Sequence, residues 1–228
     1  DKLWFEFGDS GGSINPATNW AFLLDKQKEP RLSWFYNYLK NTKFESNTSG
    51  SNSDVDKKDN ADNNQGETFQ DLLYDTRSVP QDSPFDENPV KVFREVGTTV
   101  FKSGWEKDDF AFVMRSGAFY NHQHIDQGSF WLADRGVIFI EERPLKNSTY
   151  YDDPIYQSKL IQPVGHSTIL INDNEQSQRT GDHLKFAPGF DDHAFIANFL
   201  DGKEAAFSSG DIGRLYYDKV KSLSRNVL

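Results

Sequence analysis

Residues 45–66 are nearly all Ser, Asn, Asp, Lys and Gly, and no other feature of the chain constrains its fold as strongly. Such a run cannot bury enough apolar surface to offset the entropy of ordering it, so it is expected to be a mobile linker or insertion. It separates a helix-patterned N-terminal piece from a strand-patterned C-terminal piece of the 228-residue chain. In residues 17–40, Trp20, Leu23, Leu24, Leu32, Phe35, Tyr36 and Leu39 recur near i, i+3, i+4 spacing. Thr18 or Asn19 is placed to cap a first helix, and Pro30 to open a second after the Lys28-Glu29 break. The expectation is a helical hairpin entered through the turn-rich Phe7-Gly8-Asp9-Ser10-Gly11-Gly12. Residues 69–74 read as a short helix, followed by an extended run through the prolines at 80, 84 and 89.

From residue 90 the period changes. Residues 92–102 and 110–115 are rich in Val, Phe and Thr, with turns predicted at Ser103-Gly104-Trp105 and Lys107-Asp108-Asp109. Residues 129–136 read as a strand and a Gly turn, 137–140 as the next strand, and 165–172 as another. Further strands are predicted over 194–200 and 220–228. Short strands recurring about every ten residues predict a mainly β fold, an antiparallel sandwich.

Composition removes several classes. No run approaches the roughly 18 apolar residues of a membrane span, and the absence of cysteine excludes disulfides and thiolate metal ligands. A formal net charge of −10 argues against a nucleic-acid surface. It also disfavours a polyanionic ligand unless the cleft is locally basic, for which Arg94, Lys102, Arg115, Arg135, Arg143, Lys146 and Lys159 are the candidates. Each is more simply a solvated surface charge. The chain opens on Asp1-Lys2-Leu3-Trp4 without an initiator Met, so it is expected to be a piece of a longer polypeptide.

The chemistry concentrates in Asn121-His122-Gln123-His124-Ile125-Asp126-Gln127-Gly128, which carries two of the five histidines. In an extended chain His122, His124 and Asp126 project to one face. That pattern suits a metal or acid–base site, or equally a polar strand edge. Downstream come Glu141-Glu142, the run Tyr150-Tyr151-Asp152-Asp153-Pro154-Ile155-Tyr156, then Gly165-His166-Ser167-Thr168-Ile169-Leu170, and Gln176-Ser177-Gln178.

This order of motifs, over about residues 93–178, resembles the C-terminal β-domain of the heparinase II/III-like polysaccharide lyases. There an H-x-H-x-D strand leads through a Gly turn to a buried acid, a Tyr-rich segment and an H-N-T-L-like strand. Two departures stand out: the acid is Glu here rather than Asp, and H-N-T-L has become His166-Ser167-Thr168-Ile169. The resemblance implies one divalent metal, zinc by its ligands, in a structural role. Its ligands would be His124, His166 and one of Glu141 and Glu142, a recognised two-imidazole, one-carboxylate set. Glu141 and Glu142 point to opposite faces of a strand, and the choice between them stays open.

The resemblance further implies that His122 reaches the substrate as an acid–base or carboxylate-neutralising residue. Asp126 would support a neighbouring histidine or backbone group from behind, and Tyr150, Tyr151, Gln176 and Arg135 would line the cleft. The implied organisation is a helical remnant of an upstream α/α toroid (1–44), a polar linker (45–89) and a sandwich (90–228). The implied function is a fragment of a lyase cleaving uronic-acid-containing polysaccharide, of glycosaminoglycan or alginate type, by β-elimination. The remaining catalytic groups would come from the upstream toroid, so the segment alone is expected to be inactive. Implied too are an acidic polysaccharide partner, no nucleic acid, no membrane span, and a periplasmic or secreted location. The alternative is a non-catalytic, metal-stabilised sandwich that binds carbohydrate or packs on a partner domain. A zinc hydrolase with Asp126 as base ranks third, since no H-E-x-x-H spacing is present.

Overall fold

A computed structural model describes residues 18–41, 73–74, 78–106, 108–118, 124–141, 153–174, 178, 193–216 and 219–228. These fall into two compact units that part between Glu87 and Asn88.

In the first unit, helix α1 (Thr18–Gln27) and helix α2 (Pro30–Asn41) form the expected hairpin. Lys28 ends α1 in the left-handed region (φ 51°) with its N–H on the Leu24 carbonyl at 2.9 Å, and Pro30 opens α2. The buried stripe is Ala21, Leu24 and Tyr36, joined by Val79, whereas Leu23 faces outward. Residues 78–87 hold to the helices through backbone groups. The Ser33 hydroxyl donates to the Val79 carbonyl at 3.0 Å, and the Asp82 N–H to that of Pro30 at 3.1 Å.

The second unit is built on antiparallel sheets, as the sequence pattern predicts. Strands β1 (Lys91–Phe93), β2 (Thr98–Lys102), β3 (Ala111–Arg115), β4 (Phe130–Asp134) and β5 (Val137–Ile140) form a five-stranded meander in sequence order. Strands β6 (Phe195–Asp201), β7 (Ala206–Asp211) and β8 (Ser224–Val227) form a three-stranded sheet. Phe101, Phe112, Met114, Phe130 and Leu132 of the first sheet meet Ile196, Phe199, Ala206 and Val227 of the second in one apolar cluster. Side chains of that size contribute about 1.5–3 kcal/mol each when fully buried, so this cluster holds the sandwich together.

Four expectations need correction. Residues 92–102 are not one strand: Gly97 takes φ +65° and its N–H closes on the Arg94 carbonyl at 3.1 Å, folding the run into the β1–β2 hairpin. The last strand is shorter than residues 220–228: β8 spans only Ser224–Val227. Among the described residues, neither 124–129 nor 166–172 is a strand. Both are irregular, and side-chain hydrogen bonds help to fix them.

Candidate functional site

Strand β3 delivers the chain to the site. Beyond Arg115 the ladder continues irregularly, with the Arg115 N–H on the Ser129 carbonyl (3.0 Å) and the Gly128 N–H on the Arg115 carbonyl (2.8 Å). Residues 124–129 are thereby held against the end of β3, and all of them are buried. Ile125 sinks into a cluster with Ala194, Ile212, Leu215 and Tyr216, which anchors the segment between its polar neighbours. Gly128 sits at φ +82°, where a Cβ would fall 2.8 Å from Ile212 Cδ1. Glycine is therefore required there.

His124 is 1 % exposed, and its Nδ1 lies 3.2 Å from His166 Nε2, with ring centroids 5.0 Å apart. The ring edge of Tyr156 closes one side at 6.0 Å. Two nitrogens, each 2.0–2.1 Å from a tetrahedral zinc, would stand about 3.3 Å apart. The imidazole pair fits that bite, and it equally fits an N–H···N hydrogen bond. Glu141 ends its strand exposed, and Glu142 lies outside the described residues. Among the described residues no group of three His, Asp or Glu side chains is gathered to hold an ion.

Asp126 faces Arg115 rather than a histidine: Arg115 Nε approaches Asp126 Oδ1 at 3.4 Å, and Gln127 Nε2 donates to the same oxygen at 3.3 Å. Arg115 is only 7 % exposed, so it is not the solvated surface charge its sequence context suggests. Among the described residues the pair is incompletely satisfied, since Arg115 Nε and Nη2, Asp126 Oδ2 and Ser129 Oγ find no hydrogen-bond partner there.

Gln127 and Gln178 make a denser lock. Gln178 Oε1 accepts from the Gln127 N–H at 3.2 Å. Its Nε2 lies within donating distance of the Gln127 carbonyl (2.6 Å), Thr168 Oγ1 (2.8 Å) and Tyr216 Oη (3.0 Å). Two amide hydrogens thus serve three acceptors. Thr168 Oγ1 donates to the Gln127 carbonyl at 2.6 Å, Tyr216 Oη to that of Ile169 at 2.7 Å, and Gln127 Oε1 accepts from the Gly117 N–H at 2.7 Å. Burial pushes the Tyr216 phenol above its ordinary value, against the opposing hydrogen bonds from Thr168, Gln178 and Ile169 and the Arg225 charge. Arg225 Nη1 donates to the Gly128 and Ser167 carbonyls, while its guanidinium lies 5.0 Å over the Phe130 ring.

The other expected site residues are placed as follows. His122, Tyr150, Tyr151 and Gln176 lie outside the described residues, as do Arg143 and Lys146. Arg135 occupies the tip of the β4–β5 hairpin at φ 49°, paired with Asp134 at 2.9 Å. The five residues of β4 separate that tip from residues 124–129, on the order of 15 Å of strand. Arg94 donates to the Ile196 carbonyl at 2.7 Å. Lys102 stands 4.7 Å over the Trp105 ring, its pKa lowered by burial against the opposing charge of Asp109. Sequence reasoning missed Gln127, Arg115, Thr168, Gln178, Tyr216 and Arg225 as a connected group. Arg115, at the end of the apolar β3 run, carries a sequence signal, whereas Gln127, Gln178 and Arg225 sit in polar stretches and carry none.

The crystal structure of the heparan sulfate lyase HepC from Pedobacter heparinus matches 97% of this chain and 26% of its own length, at 14% identity and a TM-score of 0.56. The likeness is one of fold. A HepC mutant from the same organism matches 67% of the chain and 21% of its own, at 17% identity and TM-score 0.48. Heparinase III matches 58% and 19%, at 16% identity and TM-score 0.45. The chain therefore spans about a quarter or less of the length of these lyases. No protein-family model matches the chain. No curated protein matches it either. Among the described residues, no helix is long and apolar enough to cross a membrane.

Proposed function

We propose that this chain is the β-domain part of a polysaccharide lyase that cleaves uronic-acid-containing polysaccharide by β-elimination. The observation that carries the reading is the pairing of buried His124 with half-buried His166, set on a sandwich of the fold HepC shares. The motif order from residue 93 to 178 adds to it, and glycosaminoglycans and alginate are the substrate types it suggests.

In the reaction, the C5 proton of the uronate leaves, its electron pair forms the C4=C5 double bond, the C4–O4 bond breaks and O4 takes up a proton. The first and last transfers need groups of tunable pKa, and the carboxylate beside C5 needs a neutralising donor. His122, two residues before His124, is assigned one of those tasks at the C5 side. Tyr150, Tyr151, Gln176 and Arg135 are assigned to sugar contacts, and an upstream toroid of the parent polypeptide to the remaining proton transfer. His124 and His166, with Glu141 or Glu142, would hold one divalent ion, zinc by the chemistry of the donors, which would tie the segments together without touching substrate. The complete burial of His124 supports that separation of roles. A periplasmic or secreted location follows from the same reading, because polysaccharide of this kind is met outside the cell.

The rival reading, a non-catalytic carbohydrate-binding sandwich, draws support from the net charge of −10, which disfavours a polyanion. One assay separates the two. The longer parent is incubated with a panel of polyuronates while ultraviolet absorbance of 4,5-unsaturated product is followed. Product on any of them supports the lyase, and binding without product supports the rival.

A further inference from the structure

His124 and His166 lie on two irregular segments, and among the described residues no backbone–backbone hydrogen bond joins 124–129 to 166–171. The nearest backbone tie, from the Ile125 N–H to the Ile161 carbonyl at 2.8 Å, falls five residues before His166, and the imidazoles meet at 3.2 Å. What joins the segments is a set of side chains. The Thr168 hydroxyl donates to the Gln127 carbonyl (2.6 Å) and accepts from Gln178 Nε2 (2.8 Å). Gln178 grips both the N–H and the carbonyl of Gln127, and Tyr216 ties the amide of Gln178 to the Ile169 carbonyl. Ser167 Oγ, one residue from His166, both accepts from the Phe130 N–H and donates to its carbonyl at 2.9 Å, as a neighbouring strand would.

We propose that Thr168, with Gln178 and Tyr216 behind it, is a positioning device that sets the separation of His124 and His166 and so builds the metal pair. This rests on the reading of those histidines as ligands. Thr168 is two residues from His166, and its partner Gln127 three from His124, so one hydroxyl spans the shortest covalent path between the rings. Threonine is branched at Cβ and stiff at χ1, which fixes the hydroxyl rather than letting it hunt for partners. Metal ligands must stand within about 0.2 Å of their ideal distances, and losing an outer support of this kind costs roughly 10–100-fold in metal affinity.

The test uses the full chain, stripped of metal, and four variants. Co²⁺ binding is titrated by its visible spectrum and Zn²⁺ by competition. Thr168→Val keeps the shape and removes the hydroxyl, and should weaken both ions about 10–100-fold. Thr168→Ser restores the hydroxyl without the stiffening methyl and should recover most of the affinity. Tyr216→Phe, the milder lesion, should weaken binding in the same direction by less. Thr99→Val is the control: it deletes a buried hydroxyl that pairs with Ser208 at 3.0 Å within the same sandwich, and should leave metal affinity unchanged. Wild-type affinity in Thr168→Val, or equal weakening in Thr99→Val, overturns the proposal.

If the wild type takes up neither ion, the metal reading fails, and the positioning role is then judged without metal. In ¹⁵N-histidine-labelled chain, an imidazole N–H shared between His124 and His166 should appear in wild type and in Thr168→Ser, and vanish in Thr168→Val. Its persistence in Thr168→Val would again overturn the proposal.

Discussion

Replacing Asp126 by Leu should be among the most damaging single changes in the sandwich. Asp126 is fully buried and stands 3.4 Å from the Nε of a guanidinium that is itself 7 % exposed. At that separation, with an effective dielectric constant of 20, the gross attraction is about 5 kcal/mol. Desolvation of both ions offsets much of this, so the pair as a whole is not worth that amount. Its disruption is another matter. Leucine would strand the Arg115 charge in the interior beside the orphaned Ser129 hydroxyl, and breaking a buried pair from one side costs roughly 3–5 kcal/mol. For a chain of this length that is a fall in Tm of about 6–20 °C. The double variant Arg115→Met/Asp126→Leu removes both charges and should recover most of the loss, since apolar replacement of a buried pair is often neutral. Urea unfolding followed by near-ultraviolet circular dichroism, which reports the buried Trp131, measures Asp126→Leu, Arg115→Met and the double variant. A single variant within about 1 kcal/mol of wild type would refute the reasoning, as would a double variant no more stable than the sum of its parts.

Elemental analysis of the purified chain should find about one zinc-like ion, lost in His166→Ala, with a lower Tm on chelation; a metal-free wild type indifferent to chelators would remove the metal from the account. Tyr216 should shape the alkaline limb of the stability curve. Its phenol titrates near 10.0 unfolded and higher when folded, so its contribution is complete below about pH 10 and is lost as pH rises through the raised folded value. Tyr216→Phe should therefore unfold with a shallower pH dependence above pH 10, and an unchanged slope would show that the phenol is not coupled to folding. The segment by itself should release no unsaturated product from any polyuronate, and turnover free of contaminating lyase would mean that its catalytic groups have been misplaced.

The helical hairpin was legible because Pro30 and the 3.6-residue stripe act locally. The β4–β5 hairpin was legible for the same kind of reason, with Arg135 and Gly136 turning at positive φ between two apolar runs. Strand β7 was not. Its Ser208, Ser209 and Gly210 are poor strand formers, chosen by what they face: Ser208 pairs with Thr99, and a Cβ on Gly210 would meet Ser116 at 2.7 Å. Both histidines stood out in the sequence, and the structure brings them together, but along loops that no periodicity describes. Arg115 reads as a surface cation until Asp126, eleven residues on, is seen beneath it. Gln178 is silent in sequence because its role is to satisfy a backbone carbonyl and N–H that only the folded chain brings near it.

The division of labour between two histidines in one motif is the account's central claim, and a paired measurement in the longer parent tests it: turnover and metal content of His122→Ala and His124→Ala side by side. His122→Ala should lose about 10²–10⁴-fold in rate with its ion and fold retained. His124→Ala should lose the ion and stability together, with activity falling as a consequence. Equal metal loss in both, or undiminished turnover in His122→Ala, would contradict it.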